Sequence, residues 1–254
     1  MADPEIIICP DISDLNERAA GKFIHLAQEA VAATGRFTVA LAGGSTPKGL
    51  YSLLATPSYK ERIPWPKVHL FWGDERCVPP DHLESNFKMV QETLLSKISI
   101  PAENVHRMAG EKNPPTAAAE YETHLKEFFR ISNGALPRFD LILLGLGEDG
   151  HTASLFPGSD ALEETERLVV AVCVEKVNSF RLTLTLPVLN QGAQIIFLVA
   201  GDGKAKVVNE LLGTKRIVST LPAAKVRPQN GQLTWLVTED AARKVACWPV
   251  SSVT

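Results

Sequence analysis

Short, nearly continuous apolar runs alternate with helix-like stretches along almost the whole chain, and this alternation limits the available folds more than any other feature. Glu5–Cys9, Phe37–Ala42, Lys67–Trp72, Phe139–Leu144 and Gln194–Ala200 read as strands. Runs of that length without a helical period suit strands buried on both faces. Between them, Asp14–Thr34 reads as a long helix ending near Gly35, and further helices open at Pro47, at Ser85 (to Ile98, capped by Ser85) and at Pro114-Pro115 (to about Phe129). Strands are also expected at Leu168–Val174, around Leu182–Leu186 and at Leu233–Val237, with helices at Lys204–Leu212 and Asp240–Val245. Buried strands joined through helices predict an α/β fold: a single doubly wound, mainly parallel sheet flanked by helices, Rossmann-like in its winding. No internal repeat or low-complexity tract breaks the pattern, and Ala109–Pro115 reads as an exposed connection, so residues 1–254 are expected to form one domain.

A chain of 254 residues can bury a large core without disulfides or structural metal. The net charge of −3, with no Lys/Arg block, leaves no electrostatic footprint for nucleic acid. Any anion must therefore be held locally, by backbone N–H groups and a few placed cations. Met1-Ala2-Asp3-Pro4-Glu5 lacks the features of a secretory signal, and no apolar stretch approaches membrane-spanning length. A cytoplasmic protein without a membrane partner is expected, as monomer or homodimer. The four cysteines (Cys9, Cys77, Cys173, Cys247) are far apart and lack C-x-x-C spacing, which predicts reduced thiols and argues against zinc. Cys77 follows Arg76 but reads as a small packing residue.

Chemistry concentrates in the loops that follow strands, where open α/β sheets bind ligands. After Phe139–Leu144 comes Gly145-Leu146-Gly147-Glu148-Asp149-Gly150-His151, a glycine-punctuated loop carrying an acid and a histidine. Histidine suits proton transfer near neutral pH. Asp149, two residues from His151, could turn back on such a loop to hydrogen-bond the imidazole and fix its tautomer. After Phe37–Ala42 comes Gly43-Gly44-Ser45-Thr46-Pro47, with the logic of a phosphate loop. Its glycines admit an anion, Ser45 and Thr46 offer hydroxyls, Thr46 can cap the helix, and Pro47 can take the first helical position. It fits neither the Walker loop nor the dinucleotide fingerprint. After Lys67–Trp72, Gly73-Asp74-Glu75-Arg76 gathers two acids and an arginine, either an anion contact through Arg76 or a surface ion pair. Lys204, in Gly201-Asp202-Gly203-Lys204, opposes a helix dipole, a conflict that an anion there would remove. Arg181 is a further candidate, or a strand-end charge. Ser154 lacks the Gly-x-Ser-x-Gly context of a hydrolase nucleophile.

The ordered set Leu-Ala-Gly-Gly-Ser-Thr-Pro (41–47), Trp-Gly-Asp-Glu-Arg (72–76), Ser85-Asn86 and Gly-Leu-Gly-Glu-Asp-Gly-His-Thr-Ala-Ser-Leu-Phe-Pro (145–157) resembles the 6-phosphogluconolactonases, within the glucosamine-6-phosphate isomerase/6-phosphogluconolactonase family. Arg181–Asn190 and Gly203-Lys204-Ala205 also fit, so the resemblance runs from about residue 37 to 237. It implies hydrolysis of 6-phospho-D-glucono-1,5-lactone to 6-phospho-D-gluconate, the second step of the oxidative pentose phosphate pathway, without metal or organic cofactor. By position it implies His151 as catalytic base, and Gly44, Ser45, Thr46 and Arg76 as phosphate ligands. Lys204 falls where related sugar-phosphate enzymes carry a phosphate-contacting lysine, and Asp74 and Arg181 remain possible substrate contacts.

Two rivals are testable. Glucosamine-6-phosphate deaminases share the Asp-Gly-His loop but carry a catalytic glutamate five residues after the histidine, where this chain has Phe156. A non-catalytic sugar-phosphate sensor would explain the phosphate loops but should carry a basic recognition helix, which the sequence does not show.

Overall fold

The computed structural model describes residues 3–132, 134–174, 179–213 and 219–245. In chain order the elements are β1 (Glu5–Cys9), α1 (Ile12–Thr34), β2 (Phe37–Leu41), α2 (Ser45–Leu54), α3 (Pro57–Lys60), β3 (Val68–Trp72), β4 (Asp74–Arg76), α4 (Asn86–Thr93), β5 (Val105–His106) and α5 (Pro114–Phe129). Then follow β6 (Leu141–Leu144), β7 (Val169–Val174), β8 (Ser179–Leu184), α6 (Leu186–Leu189), β9 (Gln194–Val199), α7 (Ala205–Leu212), β10 (Gln232–Thr238) and α8 (Glu239–Ala242). The expected long helix starts at an Asp11 cap, whose side chain accepts from the Asp14 N–H, and ends at Gly35 in the left-handed region.

Seven strands form one sheet in the order β1-β10-β9-β6-β2-β3-β5, and every pairing in it is parallel. All residues of β2 and β6 are buried, as their unbroken apolar runs predict. From β2 the chain winds outward through β3 to β5, then returns to β6 on the other side of β2 and winds out through β9 and β10. The order therefore reverses between β2 and β6, and the carboxyl ends of these two strands flank the crevice where doubly wound sheets seat ligands.

A second, three-stranded antiparallel sheet (β4-β8-β7) departs from the single sheet expected. β7 and β8 have no helix between them, so they pair as antiparallel neighbours instead of joining the parallel sheet. The Asp74-Glu75-Arg76 segment is a short strand against β8, not a loop, because cross-strand pairing and not propensity holds it. Arg181 consequently lies within β8, directly opposite Arg76, and not at a strand end. The helix expected to run to Ile98 stops at Thr93, where a 3₁₀ turn over Leu95–Lys97 takes over. Of the cysteines, Cys9, Cys77 and Cys173 are free thiols, and Cys247 lies outside the described residues. Burial pushes the Cys77 thiol up to about 11, consistent with a packing role.

Glu122 on α5 ties that helix to the small sheet. Its carboxylate accepts from Lys126 at 2.6 Å, from Arg167 Nε at 2.8 Å and from the Leu168 N–H at 3.0 Å. Burial works to raise its pKa, but these hydrogen bonds outweigh that and hold it at about 2. A depressed folded-state value adds stability above the unfolded pKa and loses it as pH falls. Glu122→Gln is therefore expected to cost on the order of 2 kcal/mol at pH 7, less than the full shift carries because Lys126 and Arg167 are half exposed. The cost should shrink as pH falls from about 4.5 to about 2. Urea unfolding at pH 7 and pH 3 checks it, and a pH-independent difference would refute the linkage.

Candidate active site

Four strand ends supply the site. β2 leads into Gly43-Gly44, and α2 begins at Ser45, two residues earlier than Pro47 suggested. Gly44 is the N-cap, with φ at 96°, a conformation that disfavours any side chain. Thr46 is thus inside the first turn and caps nothing; α2 has no side-chain cap. The positive end of α2 and the hydroxyls of Ser45 and Thr46 therefore remain available at a cavity of about 210 Å³, which Lys204 also lines. Tyr51 locks the loop from behind, accepting from the Ala42 N–H at 3.0 Å and donating to the Ala42 carbonyl at 2.8 Å. Lys204 ends the 3₁₀ turn Asp202–Lys204, capped by Gly201, immediately before α7.

The Asp74-Glu75-Arg76 strand divides its labour. Glu75 is 2% exposed and acts as scaffold: it accepts from the Arg76, Asn86 and Phe87 N–H groups, each at 2.7 Å, and from the Ser85 hydroxyl at 3.1 Å. Burial nevertheless raises its carboxyl above the ordinary range, against the pull of those N–H groups. Ser85 caps α4 as expected. Asp74 accepts from the hydroxyl of Ser154, a buried residue, at 2.7 Å. The ion pair of Arg76 with Asp74 or Glu75 does not form; Arg76 donates instead to the Glu84 carbonyl at 2.5 Å. Arg181, opposite it, donates among the described residues to the Ser179 hydroxyl at 3.4 Å, and its pKa is lowered by burial and then by the charge of Arg76. Two guanidinium groups thus face each other across a strand pair, with Asp74 and Glu84 only partly offsetting their repulsion, and an anion beside them would offset more of it.

β6 delivers the Asp149–His151 loop. The His151 Nδ1–H donates to Asp149 Oδ1 at 2.5 Å, and the His151 backbone N–H donates to the same oxygen at 3.2 Å. Burial would raise the Asp149 carboxyl, but the hydrogen bonds from His151 overcome it and hold it below its ordinary value. With Nδ1 occupied as donor, Nε2 is the nitrogen left to take a proton. A β-carbon on Gly147 would sit 2.1 Å from His151 Nδ1 and 2.6 Å from Asp149 Oδ1, so the pair needs glycine beneath it.

Asp74, Arg76, His151 and Ala153 line both the 210 Å³ cavity and an adjoining cleft of about 1100 Å³, which also holds Asp149 and Arg181. All nine candidate side chains or loop residues from the sequence thus reach the two connected cavities. His82, in the Pro79–Ser85 loop, lines neither and instead meets Glu84. Sequence reasoning gives Asn86 no role, yet it is buried and lines the smaller cavity, donating to the Asp74 carbonyl at 2.9 Å. A β-carbon on Gly43 would lie 2.0 Å from its amide oxygen. Gly43→Ala should therefore push Asn86 out of place and weaken the affinity of this cavity for a small anion by roughly tenfold or more, measurable by calorimetric titration with inorganic phosphate. Unchanged affinity would sink that account. Among the described residues, no group of three or more His, Cys, Asp or Glu side chains is placed to hold a metal ion. No helix among them is long and apolar enough to cross a membrane.

A doubly wound sheet with an open helix N-terminus and an Asp–His pair at its switch point describes an α/β protein able to seat a small anion beside a proton acceptor. A family model described as glucosamine-6-phosphate isomerases/6-phosphogluconolactonase matches residues 10–235, and the chain belongs to that family. A 6-phosphogluconolactonase of a Nostoc species is 39% identical over 240 residues, covering 94% of this chain and 97% of the relative. One from a Synechocystis species is 40% identical over 249 residues, covering 95% and 98%. The solved structure of 6-phosphogluconolactonase from Trypanosoma cruzi superposes with a TM-score of 0.85 at 30% identity, over 96% of this chain and 98% of that one.

Proposed function

We propose that this chain hydrolyses 6-phospho-D-glucono-1,5-lactone to 6-phospho-D-gluconate, with His151 as general base and no metal. The observation that carries the reading is the 2.5 Å Asp149–His151 contact at the junction of the two cavities, one of which ends at the open N-terminus of α2. The names of the relatives, at about 40% identity over nearly the full chain, support the same substrate.

The phosphate sits at the first turn of α2, on the Gly44, Ser45 and Thr46 loop, with Arg76 and Lys204 supplying charge, while Arg181 faces the larger cavity. Its binding energy positions C1 of the lactone, which is not itself phosphorylated, against His151. Neutral His151 takes a proton from water through Nε2 as the water oxygen bonds to C1. Asp149 holds the tautomer and stabilises the imidazolium that results. The N–H groups of Gly147 and Gly150 already donate to the His151 and Gly147 carbonyls, so the oxyanion on C1 is stabilised by a cation of the cleft and not by those two amides. Collapse of the tetrahedral intermediate breaks the bond from C1 to the ring oxygen. His151 returns its proton to that oxygen, and the open-chain acid released from C1 loses its remaining water-derived proton to solvent, leaving as a carboxylate.

Freshly made lactone, coupled to 6-phosphogluconate dehydrogenase and followed by NADPH, tests the proposal against an enzyme-free blank. Wild type should exceed the blank, and Arg76→Ala should raise KM by about 10–100-fold, the worth of a charged hydrogen bond to phosphate. A wild-type trace that overlays the blank removes the hydrolase reading.

A further inference from the structure

Resting on the base role of His151, we propose that Phe156 is a positioning residue that fixes the plane of the catalytic imidazole. The Phe156 ring lies 4.4 Å, centroid to centroid, from the His151 ring, tilted by 36°. It is half-buried and lines the larger cavity beside His151.

The chain brings these two rings together by a local device. Thr152 and Leu155 form an isolated antiparallel bridge, closed by the Leu155 N–H donating to the Thr152 carbonyl at 2.9 Å. Ala153 inside the turn has φ at 47°, in the left-handed region that residues other than glycine seldom enter. The reversal sets residues 151 and 156 side by side as its two flanks. The turn is tethered at two points. The Thr152 hydroxyl donates to the Gly145 carbonyl at 2.9 Å, and the Ser154 N–H donates to the Thr183 hydroxyl at 3.2 Å. Leu155 is fully buried. A strained residue held by this many contacts is the kind found where geometry serves function.

The imidazole needs such support. Its bond to Asp149 fixes Nδ1, but a single hydrogen bond leaves the ring free to swing about that point. Gly147 approaches the Nδ1–Cε1 edge so closely that no side chain fits. Phe156 meets the ring itself. Between them the ring is held at Nδ1, along the Nδ1–Cε1 edge and against the tilted Phe156 ring, and neither the hydrogen bond nor the glycine contact involves Nε2. A displacement of about 1 Å at a reacting atom can cost on the order of a hundredfold in rate. A stop against ring rotation therefore acts on kcat, while the phosphate contacts that govern affinity lie elsewhere in the cleft.

Three variants test this: Phe156→Leu and Phe156→Met, which remove the flat face but keep apolar bulk, and Phe156→Tyr, which restores it. Lactone kinetics are read alongside the downfield proton resonance of the Nδ1–H held by Asp149. The expected result for Leu and Met is a kcat lowered about 10–100-fold, KM within about twofold of wild type, and a broadened or lost Nδ1–H signal. Tyr should recover most of both. Two results overturn the proposal: a Leu and Met kcat within about twofold of wild type, or a lowered kcat with the Nδ1–H signal unchanged. If one variant fails to fold, the other carries the comparison. If wild type itself does not hydrolyse the lactone, the base role fails separately, and the proton signal alone judges whether Phe156 orders the ring.

Discussion

His151→Ala is expected to lower kcat by ~10²–10⁴-fold, the usual worth of a positioned general base, with little change in KM. The split follows from where the side chain sits. His151 lines both cavities at their junction, whereas Ser45, Thr46 and Lys204 belong to the smaller one alone. Removing the imidazole thus deletes proton transfer and leaves the anion seat intact. Asp149→Asn should fall by a smaller factor, roughly 10–10³-fold, because the amide oxygen can still meet Nδ1 but no longer stabilises the imidazolium. Were that amide to present its NH₂ instead, it would select the wrong tautomer, and the loss would then approach that of His151→Ala. The coupled assay must carry an enzyme-free control, since the lactone also opens on its own. A His151→Ala enzyme retaining more than about a third of wild-type kcat would eliminate the general-base mechanism. A large rise in KM without loss of kcat would instead make His151 a binding group.

The sheet is legible in the sequence because its central strands are buried on both faces, and such strands leave unbroken apolar runs such as Leu141–Leu144. The loops that bear the site are legible for a related reason. A glycine pair or an acid–histidine pair immediately after a buried strand has no packing role to explain it. What the sequence hides is anything decided by a distant partner. Asp74-Glu75-Arg76 looks like a loop until β8 pairs with it, so Arg181 also looks like a strand-end charge. The start of α2 is hidden because Thr46-Pro47 mimics a cap followed by its first helical residue, while Gly44 supplies the turn by backbone conformation alone. Asn86 stands in the motif set without a role, and only its burial and the close approach of Gly43 show what it packs against. Phe156 enters the sequence reading only as the residue standing where the deaminases carry a glutamate, since no local propensity signals that Ala153 will adopt φ of 47° and fold it back onto His151.

The second large effect should come from a residue that touches no substrate. Glu75→Ala removes one carboxylate that serves four donors: the N–H groups of Arg76, Asn86 and Phe87 and the Ser85 hydroxyl. Asn86 and Phe87 open α4, so two of these are among the N–H groups that a helix cannot satisfy internally. Ser85 and Asn86 are 2% exposed, and water cannot easily replace the lost acceptor. Each stranded buried donor costs about 1–3 kcal/mol, and partial relaxation brings the expected loss to roughly 3–5 kcal/mol. For a chain of this size that corresponds to a fall in Tm of about 6–15 °C. Activity should drop with it, since Glu75 fixes the strand bearing Asp74 and Arg76 and the helix bearing Asn86. Glu75→Gln separates the two contributions. Its amide oxygen can stand in for one carboxylate oxygen and still accept from one α4 N–H, but its NH₂ meets donors where the other oxygen stood, so an intermediate Tm is expected. Differential scanning calorimetry on the three proteins decides it. Glu75→Ala melting within about 2 °C of wild type would mean that α4 holds its first turn without the carboxylate, and that the acid belongs to the site's chemistry and not to its frame.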